Sequence, residues 1–181
     1  GWAVALDSPG AVLLPGWPKS LGPFVFSGPV LVDLDRLGLP EILIRGTGVL
    51  HALSDSGAVH PGWPRPLFSV LPAPSMAAPS VADLDGDATA EVVAIHGSGL
   101  SIFAAGGLLE MELSPPGFQH SGERGMALGD LTGDPALEIA VAADGGRLYL
   151  LSSSSTILPG WPVMLDGEAA SAPVIADLNG D

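Results

Sequence analysis

The chain of 181 residues contains no cysteine. That excludes a disulfide framework and any thiolate metal centre. Basic residues are scarce too: Lys19 is the single lysine, and 6 Lys+Arg stand against 20 Asp+Glu, a formal net charge of −14. Such a surface repels phosphate backbones, so nucleic acid is not an expected partner. The basic cluster that holds proteins to anionic lipid is also missing. No apolar run reaches the roughly 18 residues of a membrane span without meeting Pro, Gly or a charge, so no membrane insertion is expected. The opening GWAVAL lacks the basic segment of a secretion leader. HExxH, the GxSxG elbow, the P-loop and GxGxxG are all absent.

What the chain does have is 25 Gly and 18 Pro in a sequence that is 47% hydrophobic and 14% charged. The Gly and Pro fall at regular intervals between β-branched runs, the pattern of short strands and tight turns rather than of disorder. Alternation and short apolar runs dominate, and no segment keeps a helical period.

The sequence repeats. SGPVLVDLDRLGLPEILI (27–44), AAPSVADLDGDATAEVVA (77–94), RGMALGDLTGDPALEIAV (124–141) and SAPVIADLNGD (171–181) align on Asp33, Asp83, Asp130 and Asp177. A second motif keeps step: LPGWP at 14–18 and 158–162, HPGWP at 60–64, and a worn copy, SPPGF, at 114–118. Between the two motifs, GTGVLHALSDSGAVHPGWP (46–64) is matched by GGRLYLLSSSSTILPGWP (145–162) and by residues 1–18. One unit reads as a small-residue strand, an acidic loop, a strand, a Gly turn, a strand, then a turn and PGWP leading a last, more exposed strand. Four short strands in about 47 residues fit the blade of an all-β β-propeller, whole or partial. The units run 27–76, 77–123 and 124–170, with 1–26 the end of a blade and 171–181 the start of another. The expectation is a piece of a larger propeller, an imperfectly closed ring, or self-association in which another copy completes the terminal blade.

Twelve of the 20 acids lie in the windows 33–41, 83–91, 130–138 and 177–181. The best-kept loop sets Asp83, Asp85 and Asp87 at positions 1, 3 and 5 and Glu91 at 9, with the Thr89 carbonyl available at 7. Three acids brought together around Gly86, with oxygen donors only, suit Ca²⁺. The loop at 130–138 has Asp130, Asp134 and Glu138, with the hydroxyl of Thr132 at position 3, and is a weaker site of the same kind. Asp177, Asn179 and Asp181 begin a further loop. The first copy has Asp33, Asp35 and Glu41 but Leu37 at position 5, with Arg36 and Pro40 intruding. Little or no metal is expected there, with Arg36 partly standing in as the cation. The ion's role is read as structural, joining the exit of one strand to the entry of the next.

Trp17, Trp63 and Trp161 recur in PGWP, either as platforms for sugar rings or, the favoured reading, as packing residues over the adjacent blade. His60 and His120 flank these turns and are expected to be half-exposed; His51 and His96 also lie in no ligand spacing. Glu110, Glu112, Glu123 and Glu168 fall outside the acidic loops, on outer strands or loops. Nothing among these points to an enzyme.

The recurring x-A-P-x-x-A-D-L-D-G-D-x-x-x-E pattern resembles the FG-GAP/VCBS repeat, the blade of integrin-α-like β-propellers. SAP (171–173), AAP (77–79) and SGP (27–29) stand where that family has Gly-Ala-Pro, and PGWP is similar to an element of its bacterial members. The resemblance covers nearly the whole chain. It implies a propeller, calcium in the acidic loops, and a non-catalytic role in cell adhesion or ligand binding that is extracellular, at the cell surface or periplasmic. The partner would be a protein or a glycan. A lectin or carbohydrate-active domain, and a structural spacer of a larger surface protein, are the alternatives.

Overall fold

The computed structural model describes residues 1–6, 12–67, 75–154 and 156–177. Among these residues every regular element is a strand, and no helix is long and apolar enough to cross a membrane. Three four-stranded antiparallel sheets follow one another in the chain, each a simple meander. The first holds β3 (Val30–Val32), β4 (Glu41–Gly46), β5 (Val49–Leu53) and β6 (Arg65–Pro66). The second holds β7 (Ser80–Ala82), β8 (Glu91–His96), β9 (Gly99–Ala104) and β10 (Leu109–Leu113). The third holds β11 (Met126–Gly129), β12 (Glu138–Ala143), β13 (Arg147–Leu151) and β14 (Val163–Met164). Before them, β1 (Trp2–Ala3) pairs with β2 (Lys19–Ser20).

The sheets stack face to face, which explains why the central strands are apolar on both sides. In β8, Val92 and Ala94 join Leu43, Leu50 and Trp63 of the first sheet's cluster. Val93 and Ile95 join Ile139, Val141 and Tyr149 of the third. A strand buried on one face would alternate with polar residues; one buried on both reads as EVVAI. Arg45, buried at the end of β4, donates across the stack to the Ile95 carbonyl, and burial pushes its pKa down to about 10.

The first strands of the second and third sheets lie side by side. β11 runs against β7, and residues 171–177 run against β11, where a Cβ on Gly129 would stand 2.9 Å from Ile175. Small residues are needed where these strands converge. The fourth strand differs between units. In the first and third it follows PGWP, because Pro and Gly interrupt the outer edge. In the second, LEMEL meets no such break and pairs with β9 along its length ahead of PPGF, with one irregularity in register between Leu109 and Met111.

Candidate metal centre

Each acidic loop joins a sheet's first strand to its second, with the first Asp leaving one strand and the Glu opening the next. That Glu is buried in every copy: Glu41 and Glu91 are 5% exposed and Glu138 is 2%. Its Oε2 accepts the amide of the residue after the first Asp, Leu34 at 2.8 Å, Leu84 at 2.8 Å and Leu131 at 2.7 Å. The Glu is therefore a clasp for a loop amide that is shut off from water in the first two loops and partly so in the third. The spacing alone suggested only a metal ligand.

In the loop 83–91, Asp83 accepts the amides of Gly86 at 2.8 Å and Ala88 at 2.9 Å, and Asp85 accepts that of Asp87 at 3.1 Å. Gly86 and Ala88 take left-handed backbone, with φ of 80° and 70°. For Ala88 this costs about 1 kcal/mol or more. The result is that one oxygen each of Asp83, Asp85 and Glu91 lies within 4.8 Å of the others. At that separation and an effective dielectric near 20, each charged pair repels by about 3 kcal/mol.

Asp87 stands outside this group. Its Oδ1 accepts the Thr89 hydroxyl and, at 2.6 Å, the Thr89 amide. These bonds, the hydroxyl's first, hold its pKa below the usual range, with a smaller contribution from Arg36 of the preceding loop. Arg36 thus acts on the neighbouring loop as well as standing in its own. Glu91 moves the other way: burial pushes its pKa up, and Asp85, Glu110 and Asp87 add to the rise. Glu110 on β10 is also raised, by burial and then by Asp85 and Asp87. Its place beside the loop comes from the folding of β10 onto β9, and no local spacing signals it. A cavity of about 230 Å³ opens here, lined by Asp85, Glu91, Glu110, Met111, Ser153 and Ser154 among others.

The other copies part from this geometry. Asp130, Asp134 and Glu138 form no comparable group among the described residues. Asp130 accepts Thr132 and Gly133 amides, and Asp134 is turned to the Ala136 amide at 2.8 Å. With Thr132 at position 3, one acid of the converging trio is missing; its hydroxyl lies 3.4 Å from Glu138 Oε1. Asp177 is exposed, and Asn179 and Asp181 lie outside the described residues. In the first copy, Asp35 and Glu41 are gathered with His60 from the turn before Trp63, again within 4.8 Å. From the sequence His60 is expected to be half-exposed beside its turn and in no ligand spacing; it is half-buried, but the fold brings it to these two acids. The signal available was its position in HPGWP, where the other two intact copies have Leu14 and Leu158.

Sugar stacking does not suit Trp17 or Trp63, which are 8% and 6% exposed. Each indole N–H crosses to the next sheet, Trp17 to the Asp55 carbonyl at 2.6 Å and Trp63 to that of Ala105 at 3.0 Å. Trp63 also packs on Phe103, with ring centroids 5.7 Å apart. Trp161 is half-buried. His120 is not half-exposed at a turn but fully buried, stacked on Phe118, because the segment 115–120 folds in between the second and third sheets. His96 is equally enclosed, its Nε2 2.6 Å from Glu112 Oε1 on the outer strand.

No known family matches the chain, and no curated protein matches it. Among solved structures, the biofilm matrix protein Bap1 of V. cholerae is similar at 17% identity with a TM-score of 0.36, over 80% of this chain and 29% of that one. The chain thus spans under a third of that protein's length.

Proposed function

We propose that the chain is a calcium-stabilised β-propeller of the FG-GAP/VCBS kind, or part of one, acting outside the cytoplasm as a non-catalytic binding or adhesion module. The observation that carries this reading is the convergence of the Asp83, Asp85 and Glu91 carboxylates within 4.8 Å. The donor set fits Ca²⁺: carboxylate oxygens only, in a loop wrapped by left-handed Gly86 and Ala88. Asp83, Asp85 and Glu91 would hold the ion, with Glu110 adding negative charge beside it. Calcium would supply the positive charge that offsets their repulsion and would tie the end of β7 to the start of β8. The face-to-face stack of meander sheets, with the first strands of the second and third side by side, supports the propeller. The adhesive, extracellular role rests on the repeat resemblance.

Thermal melts in Ca²⁺ and in EDTA, with metal content measured, test the reading. Calcium raises the melting temperature by mass action on the folded state, and Asp85→Ala loses one bound ion. An unchanged melt and no bound calcium refute it. The cavity beside Asp85 and Glu91 favours a second reading, a lectin whose sugar hydroxyls meet the ion. At about 230 Å³ it is smaller than the ~300 Å³ of ordinary ligand pockets, so this reading ranks second. A glycan array separates the two.

A further inference from the structure

We propose that the first acidic loop forms a second metal site of different chemistry, in which Asp35, Glu41 and His60 bind a borderline divalent transition ion of the Zn²⁺ class. This site is independent of the calcium reading of 83–91.

One ligand atom from each of the three residues lies within 4.8 Å of the others. His60 Nε2 is 3.7 Å from Asp35 Oδ2. That is too long for a hydrogen bond. It is close to the separation of about 3.4 Å between two donors that share a tetrahedral ion at roughly 2.0–2.1 Å. The imidazole is set for ligation by its other nitrogen. Nδ1 lies 3.1 Å from the Pro61 carbonyl. A carbonyl only accepts, so the proton of this bond sits on Nδ1, which leaves Nε2, the nitrogen on the Asp35 side, as the ligand atom once it gives up any proton to the metal. Those carboxylates are held in turn: Asp35 Oδ1 accepts the Leu37 amide at 3.0 Å and Glu41 Oε2 the Leu34 amide at 2.8 Å. In the same loop Asp33 accepts the Gly38 amide through Oδ2 at 2.9 Å, and its Oδ1 is buried without a hydrogen-bond partner.

Comparison of the repeats points the same way. The His60 carbonyl accepts the Trp63 amide as the Leu14, Pro115 and Leu158 carbonyls accept the amides of Trp17, Phe118 and Trp161. The four turns are therefore in register, and an imidazole stands where the others have Leu, Pro and Leu. It does so in the one complete loop that lacks an acid at position 5. In the other two, a threonine hydroxyl lies 3.4 Å from Oε1 of the clasp Glu. The first loop has no hydroxyl among its residues 33–41. A nitrogen with two carboxylates selects against Ca²⁺, which prefers an all-oxygen shell, and for zinc and its neighbours.

The test is Zn²⁺ titration of chelator-treated protein by calorimetry in excess Ca²⁺, with the wild type, His60→Leu and Asp85→Ala. The wild type binds one Zn²⁺ that calcium does not displace. His60→Leu places in this turn the residue found at 14 and 158, so it folds normally, with a metal-free melt like that of the wild type. Loss of an outer-shell partner alone weakens metal binding about 10–100-fold, so losing the ring nitrogen weakens zinc at least tenfold. Asp85→Ala retains wild-type zinc affinity. On the wild type, the His60 ring resonances move with one equivalent of Zn²⁺, a readout that needs no variant. The proposal is overturned if the wild type binds no zinc, if calcium displaces it, if the His60 resonances stay put, if His60→Leu binds zinc equally, or if Asp85→Ala removes the site.

Discussion

Acid should unfold this protein through His120 before its carboxylates dominate. The side chain is fully buried, and neither ring nitrogen makes a hydrogen bond of good geometry, the Arg124 backbone offering only a weak one. Burial, then the charge of Arg124, lowers its pKa from 6.5 to about 4, against a smaller opposing pull from Asp144. A folded pKa below the unfolded one means that the unfolded chain takes up the proton first. The neutral ring is thus tolerated in full above pH 6.5, and stability falls as pH drops from 6.5 toward 4. At about 1.36 kcal/mol per unit over about two and a half units, the loss comes to roughly 3 kcal/mol. That is a large part of the 5–15 kcal/mol of an ordinary domain. Urea unfolding at several pH values from 7.5 to 4, in EDTA, measures it. His120→Leu removes the titration and two poorly partnered nitrogens while keeping an apolar contact for Phe118. The variant should show a flatter profile than the wild type over this window and little change at pH 7.5. Parallel profiles for the two proteins would refute the assignment of the acid sensitivity to His120.

Other outcomes follow from the same contacts. Trp63→Phe removes the bond to the Ala105 carbonyl and should cost about 1 kcal/mol, whereas Trp63→Ala should cost about 3–5 kcal/mol. Denaturant melts should show a smaller loss for the half-buried Trp161→Ala. Gly62 has φ of 83°, and a Cβ there would stand 1.9 Å from the Gly106 carbonyl of the next sheet. Gly62→Ala should therefore destabilise by well over the ~1 kcal/mol expected of Gly38→Ala, where φ is 92° and nothing lies within 4 Å. Asp87→Ala should retain calcium better than Asp85→Ala, since Asp87 is turned to Thr89; isothermal titration of both variants checks this.

The strand pattern was readable because each unit repeats it. EVVAI and EIAVAA announce strands buried on both faces, and their recurrence with Gly turns and PGWP defines the meander. The loop chemistry was readable only in part. Asp83, Asp85 and Glu91 converge as their spacing suggested, while Asp87, equally well spaced, is drawn off by a threonine two residues away. The Glu that opens each second strand carries a second task, clasping a buried amide, which spacing cannot reveal.

Sequence by itself determined the local terms: which residues can form strands, where the acids cluster, and that no thiolate or long apolar span exists. Neighbours along a strand or loop are set by covalent geometry, so a periodic pattern reports them directly. Only the tertiary structure decided which distant groups share a space. The stacking of one sheet on the next buries Trp63 against Phe103 and encloses His120. The folding of an outer edge back along its sheet brings Glu110 to Asp85 and His60 to Asp35. Those pairings join residues 25 to 40 positions apart, and they depend on how apolar faces meet rather than on any local spacing.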